Sequence, residues 1–153
     1  MTTQIAPLQK VIQTLLEVDA VRNITETSPK GAETKIGQKI RPDACRIKDT
    51  PPFIVLEVAD EDTLPDLDGV NGDGTAQMLV ICVGAKRETT VEIANAVDTI
   101  LNNYRGTVAG TQIQHCLRRG PARGYEPPQD DGDESHGFYI SLRYDVMFTA
   151  GVT

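Results

Sequence analysis

"TAQMLVICVGAKRETTVEIANAVDTILNNY", residues 75–104, changes its period halfway along. Residues 75–85 are apolar on both faces through their centre, which predicts a strand in the middle of a sheet with cover on each side. From residue 89 onward, Ile93, Val97, Ile100, Leu101 and Tyr104 recur at three- and four-residue spacing. They form the buried stripe of a helix over 89–104. Thr89 and Glu92 stand at the spacing of a capping box, in which the hydroxyl takes the N3 amide and the carboxylate reaches back to the cap amide. Asn102, Asn103 and Gly106 supply the stop.

Working back from this unit, residues 53–59 (FIVLEVA) are β-rich and apolar on both faces except at Glu57. They read as a second central strand, entered through Thr50-Pro51-Pro52, which halts anything helical and forces an extended approach. Between the two strands lies DEDTLPDLDGVNGDG, residues 60–74, which reads as an acidic, Gly-rich loop far longer than a hairpin turn. Residues 20–52 are polar, basic and weakly patterned; Ser28-Pro29-Lys30-Gly31 is a turn signal, and KIGQKI (35–40) suggests a short strand. Residues 4–18 predict a helix, with Ile5, Leu8, Ile12, Leu15 and Leu16 on one stripe and Pro7 in the first turn, where a missing N–H is no loss.

Working forward, residues 107–119 predict one strand, with Ile113, His115 and Leu117 on one face and Gln112, Gln114 and Arg118 on the other. Residues 120–136 are rich in breakers and acid. The last strand alternates cleanly: Phe138, Ile140, Leu142, Tyr144, Val146 and Phe148 point one way, Ser141, Arg143 and Asp145 the other. The expectation is therefore one α+β domain over 1–153, a mostly antiparallel sheet with two helices in the order α-β-β-α-β-β. Each adjacent strand pair is joined by a long acidic loop that connectivity does not require, because antiparallel strands can be joined by two residues.

At 153 residues the chain is long enough for one domain with a substantial core. Its formal charge of −7 argues against a protein that grips nucleic acid or anionic lipid. The charge is segregated. Residues 22–48 hold seven Lys or Arg against three acids, and this basic segment lacks apolar residues for a core of its own. Residues 60–73 hold six acids and no base, and 126–134 hold five more acids. Cys45, Cys82 and Cys116 match no metal spacing and read as buried thiols of a reducing compartment. The first ten residues do not look like a signal peptide, and no apolar run approaches the length of a membrane span.

Catalytic and metal constellations fare poorly. Neighbours His115 and Cys116 in a strand point to opposite faces and cannot form a dyad; His136 adds no recognised spacing. DLDGVNGDG lacks the calcium loop's fifth-position Asp or Asn and its twelfth-position Glu. Gly69, Gly72 and Gly74 are followed by no Gly-Lys-Ser/Thr. No nucleophile–base–orienter set emerges, so neither enzyme activity nor a cofactor is expected. Arg118, Arg119 and Arg123 form a basic cluster for which two readings stay open: local salt bridges at a solvated strand end, or a subunit contact.

The layout resembles the tail terminator, or tail-completion, proteins of long-tailed bacteriophages. The resemblance rests on the helix IAPLQKVIQTLLEV, the Pro-flanked strand TPPFIVLEV, the strand-to-helix unit of 75–104, and the closing pair GTQIQHCLRRG and GFYISLRYDVMF. It implies an α/β subunit that assembles as a six-fold ring on the head-proximal end of the tail tube. Such a ring ends tube polymerisation, meets the neck or head-completion protein, and lets DNA pass through its lumen. It implies no catalysis, no cofactor and no membrane, and places the protein in the virion after assembly in the host cytoplasm. Another neck or minor tail component and a small cytosolic binding domain are the alternatives. A head-to-tail ring needs two different complementary surfaces on each subunit. The candidates are the bases Lys35, Lys39 and Arg41, with Arg118, Arg119 and Arg123, and the acidic loops at Asp60, Glu61 and Asp62 and at Asp130, Asp131, Asp133 and Glu134. For the second loop two placements stay open, the ring lumen or a neighbouring subunit.

Overall fold

The structure is a computed structural model and describes residues 8–27, 31, 33–42, 51–66, 69–120, 123–125 and 138–150. In chain order its elements are α1 (Leu8–Leu16), α2 (Asp19–Arg22), β1 (Thr25–Thr27), β2 (Glu33–Lys35), β3 (Ile40–Pro42), β4 (Phe53–Asp66) and β5 (Gly69–Gly84). They continue as α3 (Arg87–Leu101), β6 (Gly106–Val108), β7 (Thr111–Arg118), β8 (Arg123–Tyr125) and β9 (Phe138–Ala150). The main sheet runs β3-β4-β5-β9-β7-β6, and β8 also pairs with β9. β1 and β2 form a separate two-stranded sheet.

The α+β class and the antiparallel bulk of the sheet agree with the sequence reading, but the element order is richer than α-β-β-α-β-β. Three helices are described rather than two. The sheet is mixed, because β3 lies parallel to β4 (Ile40↔Ile54 through Pro42↔Leu56). The basic segment is not merely polar connection. It carries β1, β2 and β3 and sends Ile24, Ile36 and Ile40 into the common core. Each buried Ile is worth roughly 1.5–3 kcal/mol, enough to hold three short strands that local propensity does not mark. The Pro7 placement and residues 4–7 of the first predicted helix fall outside the described residues.

The largest departure concerns residues 60–74. They are not a loop. β4 and β5 continue through them as one long hairpin, paired from Phe53↔Val83 to Asp66↔Gly69, with irregularities between Val58 and Asp60 and between Thr63 and Pro65. Glycines and aspartates have poor β propensity, but backbone pairing with a partner already aligned by Ile54, Leu56, Val80 and Cys82 carries the register outward. β9 accompanies β5 only as far as Asp73↔Thr149. Beyond that point, among the described residues, β4 and β5 pair only with each other.

The predicted strand 107–119 is likewise two strands. Ala109 (φ 50°) and Gly110 (φ 78°) make a tight reversal between β6 and β7. Within β7 the register shifts between Ile113 and His115, so the expected face grouping fails. Ile113 and Cys116 are buried, whereas His115 and Leu117 are half-buried. A bulge changes which residues share a face by one place. Residues 120–136 also contain a strand, β8, which continues the β7 path along β9 from Arg123↔Ser141 to Tyr125↔Tyr139.

One face of the sheet carries the core. Ile54, Leu56, Met78, Val80, Cys82, Leu142, Tyr144 and Val146 pack there with Leu8, Val11, Ile12 and Leu16 of α1 and Ile93, Val97 and Leu101 of α3. The expectation of cover on both faces is not met by the described helices, which all pack into this one cluster. On the second face Leu79, Ile81 and Val83 are half-buried, and Met147 is 42% exposed.

The predicted capping box does not form. The α3 N-cap is Lys86, in extended conformation and without a capping bond from its own side chain. Thr89 is buried inside the first turn. The cap comes from elsewhere: Glu26 of β1 lays its carboxylate on the helix start, accepting the Ala85 amide at 2.8 and 3.0 Å and the Lys86 amide at 3.4 Å. A carboxylate there also complements the positive end of the helix dipole. The predicted stop does form. Asn103 takes a left-handed φ of 67°, and its amide donates to the Cys116 carbonyl at 2.7 Å.

Candidate assembly surfaces

The sequence-predicted residues fall into three places. Lys35 is exposed on β2. Lys39 and Arg41 are half-buried at the start of β3, and each takes part in interactions within the chain. The basic segment therefore presents Lys35 outward while its other two candidates lie closer to the body.

The arginine cluster is divided by the sheet. Arg118 Nη1 pairs with Asp98 Oδ2 of α3 at 3.1 Å. Its neighbour Arg119 turns to the second face and pairs with Asp145 of β9 at 3.4 Å. Both pairs are solvent-accessible, and such pairs are worth about 1 kcal/mol or less. Arg123 stands on β8, opposite Ser141 of β9. A depression of about 420 Å³ beside Arg119 is lined also by Thr75, Gln77, Asp145 and Met147. The full charges lining it, Arg119 and Asp145, neutralise one another.

Asp60, Glu61 and Asp62 lie on β4, in register with Gln77, Ala76 and Thr75. They belong to the hairpin and not to a loop. Asp130, Asp131, Asp133 and Glu134 fall outside the described residues, in the stretch that joins β8 to β9.

His115 and Cys116 diverge as expected: His115 is half-buried opposite Met147, and Cys116 is buried. Burial pushes the Cys116 thiol up to about 12. Burial also raises Cys82, further still. Both are thiols at neutral pH, and the thiolate is the nucleophile and metal ligand. Cys45 falls outside the described residues. Among the described residues no group of three His, Cys, Asp or Glu side chains could hold a metal, and no helix is long and apolar enough to cross a membrane.

Sequence reasoning missed two polar anchors. Glu26, 6% exposed, caps a helix 59 residues away. Tyr144, fully buried, donates its hydroxyl to Asp98 Oδ1 at 2.8 Å, while Arg118 holds the other Asp98 oxygen. Together they tie α3 to β7 and β9. Burial, and then the hydrogen bond to Asp98, raises the Tyr144 hydroxyl well above the usual tyrosine range. A single acid in "ITET" carries no local sign of its distant partner; the even phase of Tyr144 did show that it faces inward.

No protein-family model matches the chain, and no curated protein matches it. Among solved structures, the fold is similar to that of a chain in the virion of a native gene transfer agent particle, with a TM-score of 0.62. The likeness covers 94% of this chain and 95% of that one, at 14% sequence identity. At that identity the similarity is one of fold.

Proposed function

We propose that this chain is a structural subunit of a phage-like particle, and within it a tail terminator: a ring on the head-proximal end of the tail tube. The observation that carries the proposal is the end-to-end likeness, 94% of one chain on 95% of the other, to a virion component. The segregated charge supports it, because a ring closed head to tail joins two unlike surfaces on each subunit. In this reading the partners are further copies of the chain in a hexamer, the tube protein, and a neck or head-completion protein. DNA is met only in transit, and no cofactor, membrane or catalytic step is involved. Lys35, Lys39 and Arg41 on one side, and Arg118, Arg119 and Arg123 three strands away across β4, β5 and β9, serve the subunit or tube contacts. Asp130, Asp131, Asp133 and Glu134 face either the lumen, where carboxylates repel passing phosphate within a Debye length, or a neighbour's bases.

Removing this gene from the particle-producing genome and measuring tail length by electron microscopy tests the reading. A terminator's loss gives tubes that overrun their normal length. Tails of normal length that fail to join heads would instead indicate a neck component, and wild-type particles would overturn the proposal altogether.

A further inference from the structure

The described helices all pack on one face of the main sheet. On the second face a row of three cross-strand neighbours runs from Glu57 of β4 through Leu79 of β5 to Arg143 of β9, in the registers Glu57↔Leu79 and Leu79↔Arg143. Neighbours in register share a face. Glu57 and Arg143 are exposed, so the row is open, and Leu79 between them is half-buried. Two strand spacings put the backbones of the acid and the base about 10 Å apart. Among the described residues no ion pair or side-chain hydrogen bond engages either of them. Ile81 and Val83, also half-buried, continue the apolar line along β5.

This pattern is its own complement. An acid, an apolar centre and a base in one line match a second copy of the same line turned end for end. A twofold axis lying between two stacked sheets and running along β5 makes that match. Leu79, Ile81 and Val83 then meet their own mates, β4 of each copy lies over β9 of the other, and each Glu57 meets an Arg143. A twofold axis running across the strands at Leu79 would instead set Glu57 on Glu57 and Arg143 on Arg143, and like charges so placed are costly. The next two rows, Val55–Ile81–Ser141 and Phe53–Val83–Tyr139, carry no charge that would oppose the stack. Sheets packed face to face lie about 10 Å apart with their side chains interdigitating, a gap that a Glu and an Arg reaching from opposite sides can close.

We propose that two copies of the chain stack through this second face about a twofold axis along β5, with Glu57 of each against Arg143 of the other and Leu79 on Leu79. Removal of the apolar line from water drives the contact, and the two ion pairs fix its direction. The contact is isologous, unlike the head-to-tail contacts of the ring. It joins free subunits and does not rest on the ring reading.

Four preparations of the full chain test it: wild type, Glu57→Arg, Arg143→Glu, and an equimolar mixture of the two variants. Oligomer size is read by sedimentation and native mass spectrometry over a concentration series. Wild type is expected to dimerise. Glu57→Arg makes the row wholly basic and Arg143→Glu makes it wholly acidic, so either variant alone places two like-charge contacts in the pair. Each should dimerise about tenfold or more weakly than wild type. The urea midpoint of the dilute monomer should not move, because both positions are exposed. The mixture sets a basic row against an acidic one and should recover the dimer as a heterodimer, identified by its mass and weakened by salt. Wild type that stays monomeric at every concentration overturns the pairing. A dimer that neither reversal weakens overturns it too, as do variants that lose the dimer singly and fail to recover it when mixed. A hexamer indifferent to both reversals overturns the pairing and leaves the ring reading standing.

Discussion

Glu26 and Ala85 lie 59 residues apart and are joined through both carboxylate oxygens, at 2.8 and 3.0 Å from one backbone amide. The bond fastens the small β1–β2 sheet to the turn that launches α3. Its removal takes the carboxylate from the part-buried bonds of the Ala85 and Lys86 amides, and a lost helix cap costs about 0.5–2 kcal/mol. Glu26→Ala is expected to lower the unfolding free energy by that amount, read as a lower urea midpoint at unchanged slope, and to speed amide exchange at Ala85 and Lys86 before any part of α3. Glu26→Gln, which keeps one acceptor, should lose less.

Gly84 sits directly under this junction. A Cβ there would lie 2.8 Å from Thr90 Oγ1, 3.1 Å from the Thr90 amide and 3.2 Å from Glu26 Oε2. The Thr90 hydroxyl is itself fixed, 2.9 Å from the Lys86 carbonyl and 3.2 Å from the Phe138 carbonyl. Gly84→Ala should destabilise by about 1–3 kcal/mol through overpacking. In a Thr90→Ala background the same change should cost less, and a double-mutant cycle in denaturant reads the difference.

The Tyr144–Asp98 bond is expected to be worth more than a surface contact. Tyr144→Phe removes the donor at 2.8 Å and should cost about 1–2 kcal/mol, since hydrogen bonds to charged groups exceed neutral ones. Asp98→Asn combined with Tyr144→Phe should be less than additive. Strict additivity would mean that the two side chains are not coupled.

Alkaline conditions should weaken the fold through its buried thiols. Burial raises Cys82 and Cys116, so above the ordinary thiol value of about 8.5 the unfolded chain releases protons that the folded chain keeps. The folded state then binds more protons, and stability falls as pH rises, by up to about 1.4 kcal/mol per pH unit for each thiol. Tyr144 adds the same sign above about pH 10. In a Cys45→Ser background, the thermal midpoint should fall from pH 8 to pH 10, and less steeply after Cys82→Ala and Cys116→Ala. A slope indifferent to both changes would contradict the assignment.

Shortening the connection between β8 and β9 should spare the fold. Tyr125↔Tyr139 pairing closes the described part of that hairpin, so replacing residues 127–135 with a short Gly-rich turn is expected to leave the unfolding midpoint unchanged while lowering the yield of infectious or DNA-delivering particles. Normal particle yield would show that this acidic stretch is dispensable.

The legible parts of the fold were those whose burial has a single period. β9 and α3 are read from the chain because Leu142, Tyr144 and Val146, or Ile93, Val97 and Leu101, repeat at the spacing of one face. The illegible parts depend on partners remote in sequence. Residues 60–74 have loop composition and become strand through the aligned backbone beside them. Thr89 has cap chemistry, yet a carboxylate from β1 reaches the helix start first. The β7 bulge displaces His115 from the face its alternation predicts. Of the candidate assembly residues, Lys35 is exposed on β2. Arg118 and Arg119 were grouped by adjacency, and the strand places them on opposite sides of the sheet.

β9 comes after β5, β7 and β8 in chain order, yet it is bonded on both sides, to β5 on one and to β7 and β8 on the other. Until it is translated, those strands face a missing centre, and the hairpin of β4 and β5 has only half its support. Closure of the sheet therefore waits on β9 rather than on the strands made before it, because long-range pairing cannot precede its partner.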